Sequence, residues 1–542
     1  MLTTGERRRT LLAMFDVLDP DRVVIRNLLE GAARRAPDEP CAVFEDGTSW
    51  TRRQALHAAY AAADSLRASG VTQGSVVAAA LPNGEAYLRT WWGAAMLGAP
   101  VVPVNIAHRG PLLTRLLATA RPATVVAAPE FVPRLRDSLA EAGWSPRVLG
   151  PADVAGYRAH APALDRPIQP WDPVSLALTS GSTGPSKLVR VSYAHSANSG
   201  QVNFSLFGIG AADTYLADLP MVHVSALYFL HAAIGNGTRI CVRARPALRG
   251  YWEVARDTGS TVSQLYSTMI SFLESQPPRS AEHQHRLRVV VTVPLPADPA
   301  GFASRFGIGH LAIGYGSTET SCCIAADPRD PLPPGSTGRL LPGWEVRLVD
   351  ENDLEVPPGQ AGQAIIRSER PWLITTEYVG DPAATAAAWR NGWFHTGDVL
   401  RRDADGTFYF VDRAKDAIRR RGQNVSSFEI EAVVRGYPGV TDAAVVADRT
   451  SVETEDEVKA WLTVRPDAAI DFIDLLRFCA DRLPHYMVPR YFEVTGEFPR
   501  TASAKIRKQE LRDRGSSAAT WDRIANGVDV RRGGLVALPA AG

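Results

Sequence analysis

Nine consecutive residues, Thr179-Ser-Gly-Ser-Thr-Gly-Pro-Ser-Lys187, crowd glycines, hydroxyl groups and a lysine into one short stretch. Gly181 and Gly184 can take positive φ and let backbone N–H groups come close to a ligand. Thr179, Ser180, Ser182 and Thr183 add hydroxyl donors, and Lys187 adds a compact positive charge. Together these groups suit a polyphosphate. The spacing is not that of a Walker A loop, because neither glycine directly precedes the lysine. A polar surface loop has the same composition, so the reading depends on what else the chain carries.

Four further clusters bear on chemistry. In Gly314-Tyr-Gly-Ser-Thr-Glu-Thr320 the aromatic Tyr315 can stack on a flat base and Thr318 can bond a phosphate. Glu319 can hold a divalent cation through hard oxygen ligation. Trp393-Phe-His-Thr-Gly-Asp398 ends in a carboxylate on a tight turn, suited to the vicinal hydroxyls of a ribose. Asp412-Arg-Ala-Lys-Asp416 is a charged joint, and Pro499-Arg-Thr-Ala-Ser-Ala-Lys505 presents a lysine after small residues. Taken singly, each is an ordinary turn or a solvated charge run.

These groups need elements to position them. Val174 to Leu178 is apolar enough for a buried strand leading into the loop. Residues 41–45 and 48–51 flank Asp46-Gly47 as a hairpin, and Thr51 with Gln54 forms a capping-box pattern that opens a helix to about Ala68. Strands are expected at 76–81, 101–104, 124–127, 214–219, 239–242, 262–266, 287–293 and 311–315, interleaved with helices at 85–97, 111–120, 224–236 and 248–257. Such alternation predicts an α/β fold of mostly parallel sheets covered by helices. Residues 345–349 and 363–368, separated by turn residues, read as antiparallel and barrel-like. Beyond Asp412 a small α+β unit of roughly a hundred residues follows, near the lower size of an independent domain. After Arg514 the sequence turns to Gly, Ser, Ala and Arg without periodicity, so 515–542 is expected to be disordered.

At 542 residues the chain is too long for one ordinary core. A hydrophobic content of 45% with 22% charged residues describes a soluble globular protein, and a net charge of +1 gives no reason to expect nucleic acid or a membrane surface as partner. The five cysteines show no CxxC spacing, which argues against zinc and against a disulfide framework. The first 16 residues lack a signal-peptide core, and the apolar stretch 91–106 is broken by glycines and prolines. No membrane insertion is expected, and the cytoplasm is the expected location.

Taken in order, the five motifs resemble the adenylate-forming superfamily, which includes acyl-CoA synthetases, luciferases and peptide-synthetase adenylation domains. The resemblance spans about Leu28 to Arg512. Phe408-Tyr-Phe-Val-Asp-Arg413 and Arg419 to Glu431 look most like the crotonobetaine/carnitine-CoA ligase branch. It implies a large N-terminal domain (1–412) of two βα-layered sheets plus a β-barrel, a hinge (413–415) and a small mobile C-terminal lid (416–514). It also implies that Thr179, Ser180, Gly181, Ser182, Thr183, Gly184 and Lys187 grip the phosphates of ATP while Tyr315 stacks on adenine. Thr318 would contact the α-phosphate, Glu319 would bind Mg²⁺, and Asp398 with Arg413 would hold the ribose. Lys415 would be the hinge residue and Lys505 the lysine that bridges carboxylate and phosphate. No side-chain nucleophile is required, because the substrate oxygen attacks directly.

Three positions depart from the family pattern. Ala504 replaces a common glycine in the Lys505 loop, and Asp412 stands where glycine often precedes the ribose-binding arginine, as also in the crotonobetaine branch. Thr292-Val293 replaces a glycine pair that lines the acyl tunnel in many acyl-CoA synthetases, so the pocket should be narrow. The segment 219–225 lacks the aspartate that holds an α-amino group in amino-acid activators, and His223 matches a gate found in acyl and aryl activators. Gly314 and Cys322 complete the expected pocket. The expected reaction joins a small or aryl carboxylic acid to ATP as an acyl-adenylate, then to coenzyme A. A carrier-protein thiol, an amine or nitrite activation for diazotisation are alternatives for the second partner. A non-catalytic nucleotide sensor would need neither Glu319 nor Lys505.

Overall fold

The computed structural model describes residues 16–179, 186–293, 298–327, 335–350, 352–413, 418–420, 423–425, 427–448, 456–499, 508–531 and 534–538, with single positions between them. Pro173–Leu178 pairs antiparallel with Leu188–Ser192, Leu178 lying opposite Leu188. The 179–187 stretch is therefore the connection of a hairpin. That hairpin closes one edge of a six-stranded sheet whose order is Arg147–Leu149, Thr124–Ala127, Val77–Ala80, Val101–Pro103, Pro173–Leu178, Leu188–Ser192. All pairs but the last are parallel. Its central strands, Val-Ala-Ala-Ala and Thr-Val-Val-Ala, are buried throughout, as expected for a sheet covered on both faces.

A second sheet of seven strands runs His310–Ala312, Val289–Val293, Val262–Tyr266, Thr214–Ala217, Arg239–Val242, Pro40–Phe44, Ser49–Thr51. The predicted helix after it is Arg52–Ala68, and its capping box is formed: Gln54 N–H donates to Thr51 Oγ1 at 3.2 Å, and Thr51 N–H to Gln54 Oε1 at 2.8 Å. Two helices, Tyr193–Phe207 and Val224–Asn236, pack against each other. Their approach requires Gly200, where a Cβ would lie 2.1 Å from the carbonyl oxygen of Tyr228.

The antiparallel part departs from expectation. Eight strands form one sheet along the path Gly314–Ser317, Ser321–Ala325, Gly338–Leu340, Thr407–Arg413, Trp393–Arg402, Ala361–Ser368, Trp344–Val349, with Trp389–Arg390 beside Trp393–Arg402. Its two end strands do not pair with each other among the described residues, so it is an open sheet and not a closed barrel. Its strands run from two to ten residues, and a barrel needs its first and last strands to pair.

Beyond this sheet the apolar residues of 418–535 form their own core, joined from the N-terminal part by Leu112. Four strands order as Val440–Asp448, Glu457–Val464, Tyr491–Val494, Trp521–Asp522. The last of them lies in the segment expected to be disordered. Trp521 stacks on Phe472, Val528–Arg531 pairs with Gly534–Ala537, and Arg523 is buried, donating to the carbonyl of Val488. Lys459 explains the order physically. Its buried ammonium meets Glu493 at 2.6 Å and also donates to Gly515 O and Thr520 Oγ1. The tail supplies two of the three oxygens that this charge needs.

Candidate functional site

The 179–187 connection, expected to grip phosphates, is held at its mouth. Thr179 N–H donates to the carbonyl of Lys187 at 2.9 Å, and Lys187 N–H donates to Thr179 Oγ1 at 3.0 Å. Ser180, Gly181, Ser182, Thr183 and Gly184 lie outside the described residues, as do Lys415, Ala504 and Lys505. Lys187 itself extends to the ring of Tyr378, with Nζ 4.5 Å from the centroid.

Gly314–Ser317 and Ser321–Ala325 are joined by the turn that carries Thr318 and Glu319. Only glycine fits at 316, because a Cβ there would stand 2.1 Å from the carbonyl of Ser321. Ser321 takes φ +52°, a left-handed conformation unusual for serine. Three side chains hold it there: Ser321 N–H donates to His195 Nε2 at 3.0 Å, Asn198 donates to Ser321 Oγ at 3.0 Å, and Ser199 Oγ lies 2.6 Å away. Burial pushes His195 down to about 3, so its ring is neutral and Nε2 is free to accept. Glu319 receives Ser317 Oγ–H on one oxygen at 2.9 Å and Tyr378 O–H on the other at 3.0 Å. Thr318 is half-buried and makes no side-chain hydrogen bond among the described residues.

One turn away in space, Tyr315 O–H donates to Asp398 Oδ2 at 2.8 Å, both residues being buried. Burial first, and the Asp398 carboxylate second, drive the phenol well above its ordinary value, so it stays a donor. Asp398 lies opposite Arg413 in the strand pairing, which brings the backbone of the two predicted ribose residues together. Tyr378 thus links the predicted glutamate to the loop lysine, and the hairpin that carries Glu319 also carries the tyrosine bonded to the predicted aspartate.

The residues expected to bind the acid sit where parallel strands end. His223 follows Thr214–Ala217, Tyr266 ends Val262–Tyr266, and Val293 is Tyr266's partner on the next strand. Carboxyl ends of parallel strands are the usual location of ligands in open α/β sheets. The His223 and Tyr266 rings meet edge to face at 6.0 Å, and Ser225 hydrogen-bonds the Tyr266 hydroxyl. Surrounding protein pushes His223 down to about 4, so it is neutral near pH 7. Thr292 is fully buried, and a Cβ at Gly314 would touch Cys322 Sγ at 2.9 Å.

Three contributors went unread in the sequence. Asn83 clamps the segment leading to His223, donating to Leu219 O at 2.8 Å and accepting from Met221 N–H at 2.8 Å. Tyr378 and His195 are the others. None belongs to a glycine-rich or charged run, so only their contacts reveal them.

Residues 29–378 match the AMP-binding enzyme family, and 429–505 match the AMP-binding enzyme C-terminal domain. The chain belongs to the AMP-binding enzyme family. It is an ATP-dependent ligase of the acyl-CoA synthetase kind. This AMP-binding enzyme is 30% identical over 469 residues to a crotonobetaine/carnitine–CoA ligase of Citrobacter koseri, covering 82% of this chain and 89% of that one. Its fold is similar to o-succinylbenzoate CoA synthetase from Bacillus subtilis, with a TM-score of 0.80, 23% identity and coverage of 90% and 98% of the two chains. The amide bond synthetase from Marinactinospora thermotolerans is similar too, with a TM-score of 0.78, 25% identity and coverage of 90% and 99%. Among the described residues no helix is long and apolar enough to cross a membrane.

Proposed function

We propose that this AMP-binding enzyme activates a small or aryl carboxylic acid with Mg·ATP and passes the acyl group to coenzyme A. The observation that carries the reading is the linkage of Lys187 to Glu319 through Tyr378, with Tyr315 and Asp398 joined on the same hairpin side, in a chain that also pairs His223 with Tyr266. Lys187, Glu319, Tyr315 and Asp398 suit a nucleotide triphosphate, and the neutral His223–Tyr266 pair suits an uncharged acid body. Thr292-Val293, standing where many acyl-CoA synthetases carry a glycine pair, is the ground for expecting a small or aryl acid. The carnitine–CoA ligase relative supports CoA as acceptor.

Glu319 fits a magnesium ion on its own chemistry. Each of its oxygens accepts one hydroxyl and retains a further lone pair, and magnesium commonly uses one or two protein carboxylates together with substrate phosphates. When bound, the ion would offset charge on the phosphate oxygens. Lys187 adds positive charge on the same side, Tyr315 and Asp398 fix the nucleoside, and His223 lines the acid side. Lys505 would neutralise the carboxylate as it meets the α-phosphate.

The amide bond synthetase neighbour favours a second reading of the last step, with an amine as acceptor. Both readings are tested by one panel: short-chain, aryl and long-chain acids, with nitrite included, each assayed for pyrophosphate with and without CoA or an amine. The expected result is AMP and pyrophosphate with a small or aryl acid and a CoA-dependent thioester. Stoichiometric ADP and phosphate, or palmitate turning over faster than the small acids, would contradict the proposal.

A further inference from the structure

We infer that Tyr378 is a positioning residue that holds the phosphate-loop lysine and the metal-bearing carboxylate in register. Of the contacts described above, it alone joins the two. Its hydroxyl donates to Glu319 Oε1 at 3.0 Å, and the opposite use of the same side chain is its ring, over which Lys187 Nζ lies at 4.5 Å. A cation over an aromatic face is attracted by the ring quadrupole, and a phenol donating to a carboxylate is a charge-assisted hydrogen bond. One side chain therefore fixes a positive and a negative group at a set separation without letting them collapse into a direct ion pair.

The backbone around Tyr378 is built as a splint between the same two partners. On the loop side, Val379 N–H donates to Leu188 O, Arg190 N–H donates to Glu377 O, and Tyr378 bridges Val189. On the carboxylate side, Thr375 N–H donates to Glu319 O at 2.7 Å, while Thr375 Oγ–H reaches Arg190 O at 3.0 Å. The orientation of Tyr378 is fixed from behind, its N–H donating to Thr385 Oγ1 at 3.0 Å.

This inference rests on the reading of Glu319 as the magnesium carboxylate. The functional consequence separates into two parts. The hydroxyl serves the metal through Glu319, whereas the ring serves the phosphates through Lys187. Tyr378→Phe removes the first and keeps the second, and Tyr378→Leu removes both.

The test uses the full chain and two binding measurements that need no turnover. Mn²⁺ affinity in the presence of saturating ATP is read by electron paramagnetic resonance, and metal-free ATP affinity is read by calorimetry in EDTA. Tyr378→Phe should weaken Mn²⁺ binding about tenfold, the fold-change expected for losing one hydrogen bond to a charged group, while metal-free ATP affinity stays within about twofold of wild type. Tyr378→Leu should lose the same Mn²⁺ affinity and in addition weaken metal-free ATP about threefold, the scale of one cation–π contact. Unchanged Mn²⁺ affinity in Tyr378→Phe overturns the inference. So does an equal loss of both affinities with a lowered Tm, which is what a merely structural role would give. Glu319→Gln distinguishes the deeper failure, since unchanged Mn²⁺ affinity there overturns the metal reading itself and this inference with it. Absence of pyrophosphate release by wild type would contradict the proposed function while leaving the two affinities to judge Tyr378.

Discussion

One helix pair of the N-terminal body and the C-terminal unit both bury polar side chains, but with opposite chemistry. In the body the helices Tyr193–Phe207 and Val224–Asn236 meet through neutral groups: His231 Nδ1 lies 2.8 Å from Ser196 Oγ, and Tyr228 O–H lies 3.0 Å from His195 Nε2. In the C-terminal unit the buried groups are ions. Lys459 meets Glu493 at 2.6 Å, Arg420 meets Glu457 at 2.8 Å, and Arg523 meets Asp529 at 3.2 Å. A buried imidazole is stable only while neutral, whereas a buried ion pair is stable only while both partners keep their charge. The two regions should therefore fail under different conditions, and the difference follows the work proposed for them. The body must hold a fixed turn beneath the nucleotide, and neutral hydrogen bonds fix the Ser321 conformation without adding charge beside Glu319.

Mild acid should produce the largest separation. His108 and His231 are pushed down to about 4 and His195 to about 3, burial being the leading cause in each. Each takes up its proton near pH 6.5 when unfolded but only at much lower pH when folded. Lowering pH from about 6.5 to about 4 therefore favours the unfolded body through these three, by up to about 6 kcal/mol at pH 5, offset in part by Asp218, which burial raises to about 7 and whose protonation favours the folded body. Glu493 responds in the same direction but over a lower pH range. Burial alone would raise it, but hydrogen bonds from Lys459, Thr520 and Ser517 outweigh burial and leave it below its ordinary 4.5. Its contribution is present above about 4.5 and is lost only as pH falls further. Calorimetry at pH 5 should show the body melting first, and a body that keeps its pH 7.5 transition would contradict the assignment of neutral buried histidines.

Truncation after Arg514 should reverse the order. It removes Gly515 O and Thr520 Oγ1 from Lys459, and with them the Trp521 stack on Phe472. Loss of partners from a buried charge costs about 3–5 kcal/mol. Hydrogen exchange should show lost protection across Glu457–Val464 and Tyr491–Val494, with the body unchanged. Unchanged protection there would mean that the tail only decorates the unit.

How much of this was legible beforehand follows from where the physical signal resides. The Thr51–Gln54 capping box and the helix Val224–Asn236 were read from the chain, because their signals are local. The helix Tyr193–Phe207 was not. Its buried face carries His195, Ser196, Asn198, Ser199 and Asn203, so it lacks the apolar periodicity that marks a helix. The tail was misread for a related reason: its order comes from Lys459, more than fifty residues away, and not from its own composition. At the site, glycine-rich and charged motifs announced Tyr315, Glu319 and Asp398, whereas Tyr378 and Asn83 act through contacts that no spacing reveals. The open eight-stranded sheet was the remaining difference, since whether a sheet closes depends on pairing between its ends.

The central claim is a division of labour in which the body holds the nucleotide and the lid's Lys505 acts only in adenylate formation. Single-turnover quench-flow on Lys505→Ala and Lys415→Pro, with adenylate and thioester quantified separately, tests it most directly. Proline at 415 fixes φ near −65° and removes a backbone donor, so a hinge there would be held in one orientation. Lys505→Ala should abolish adenylate formation yet convert a supplied acyl-adenylate to thioester, whereas Lys415→Pro should form adenylate and fail to transfer it. If both substitutions slow both steps equally, the two lysines serve one shared step and the division is wrong.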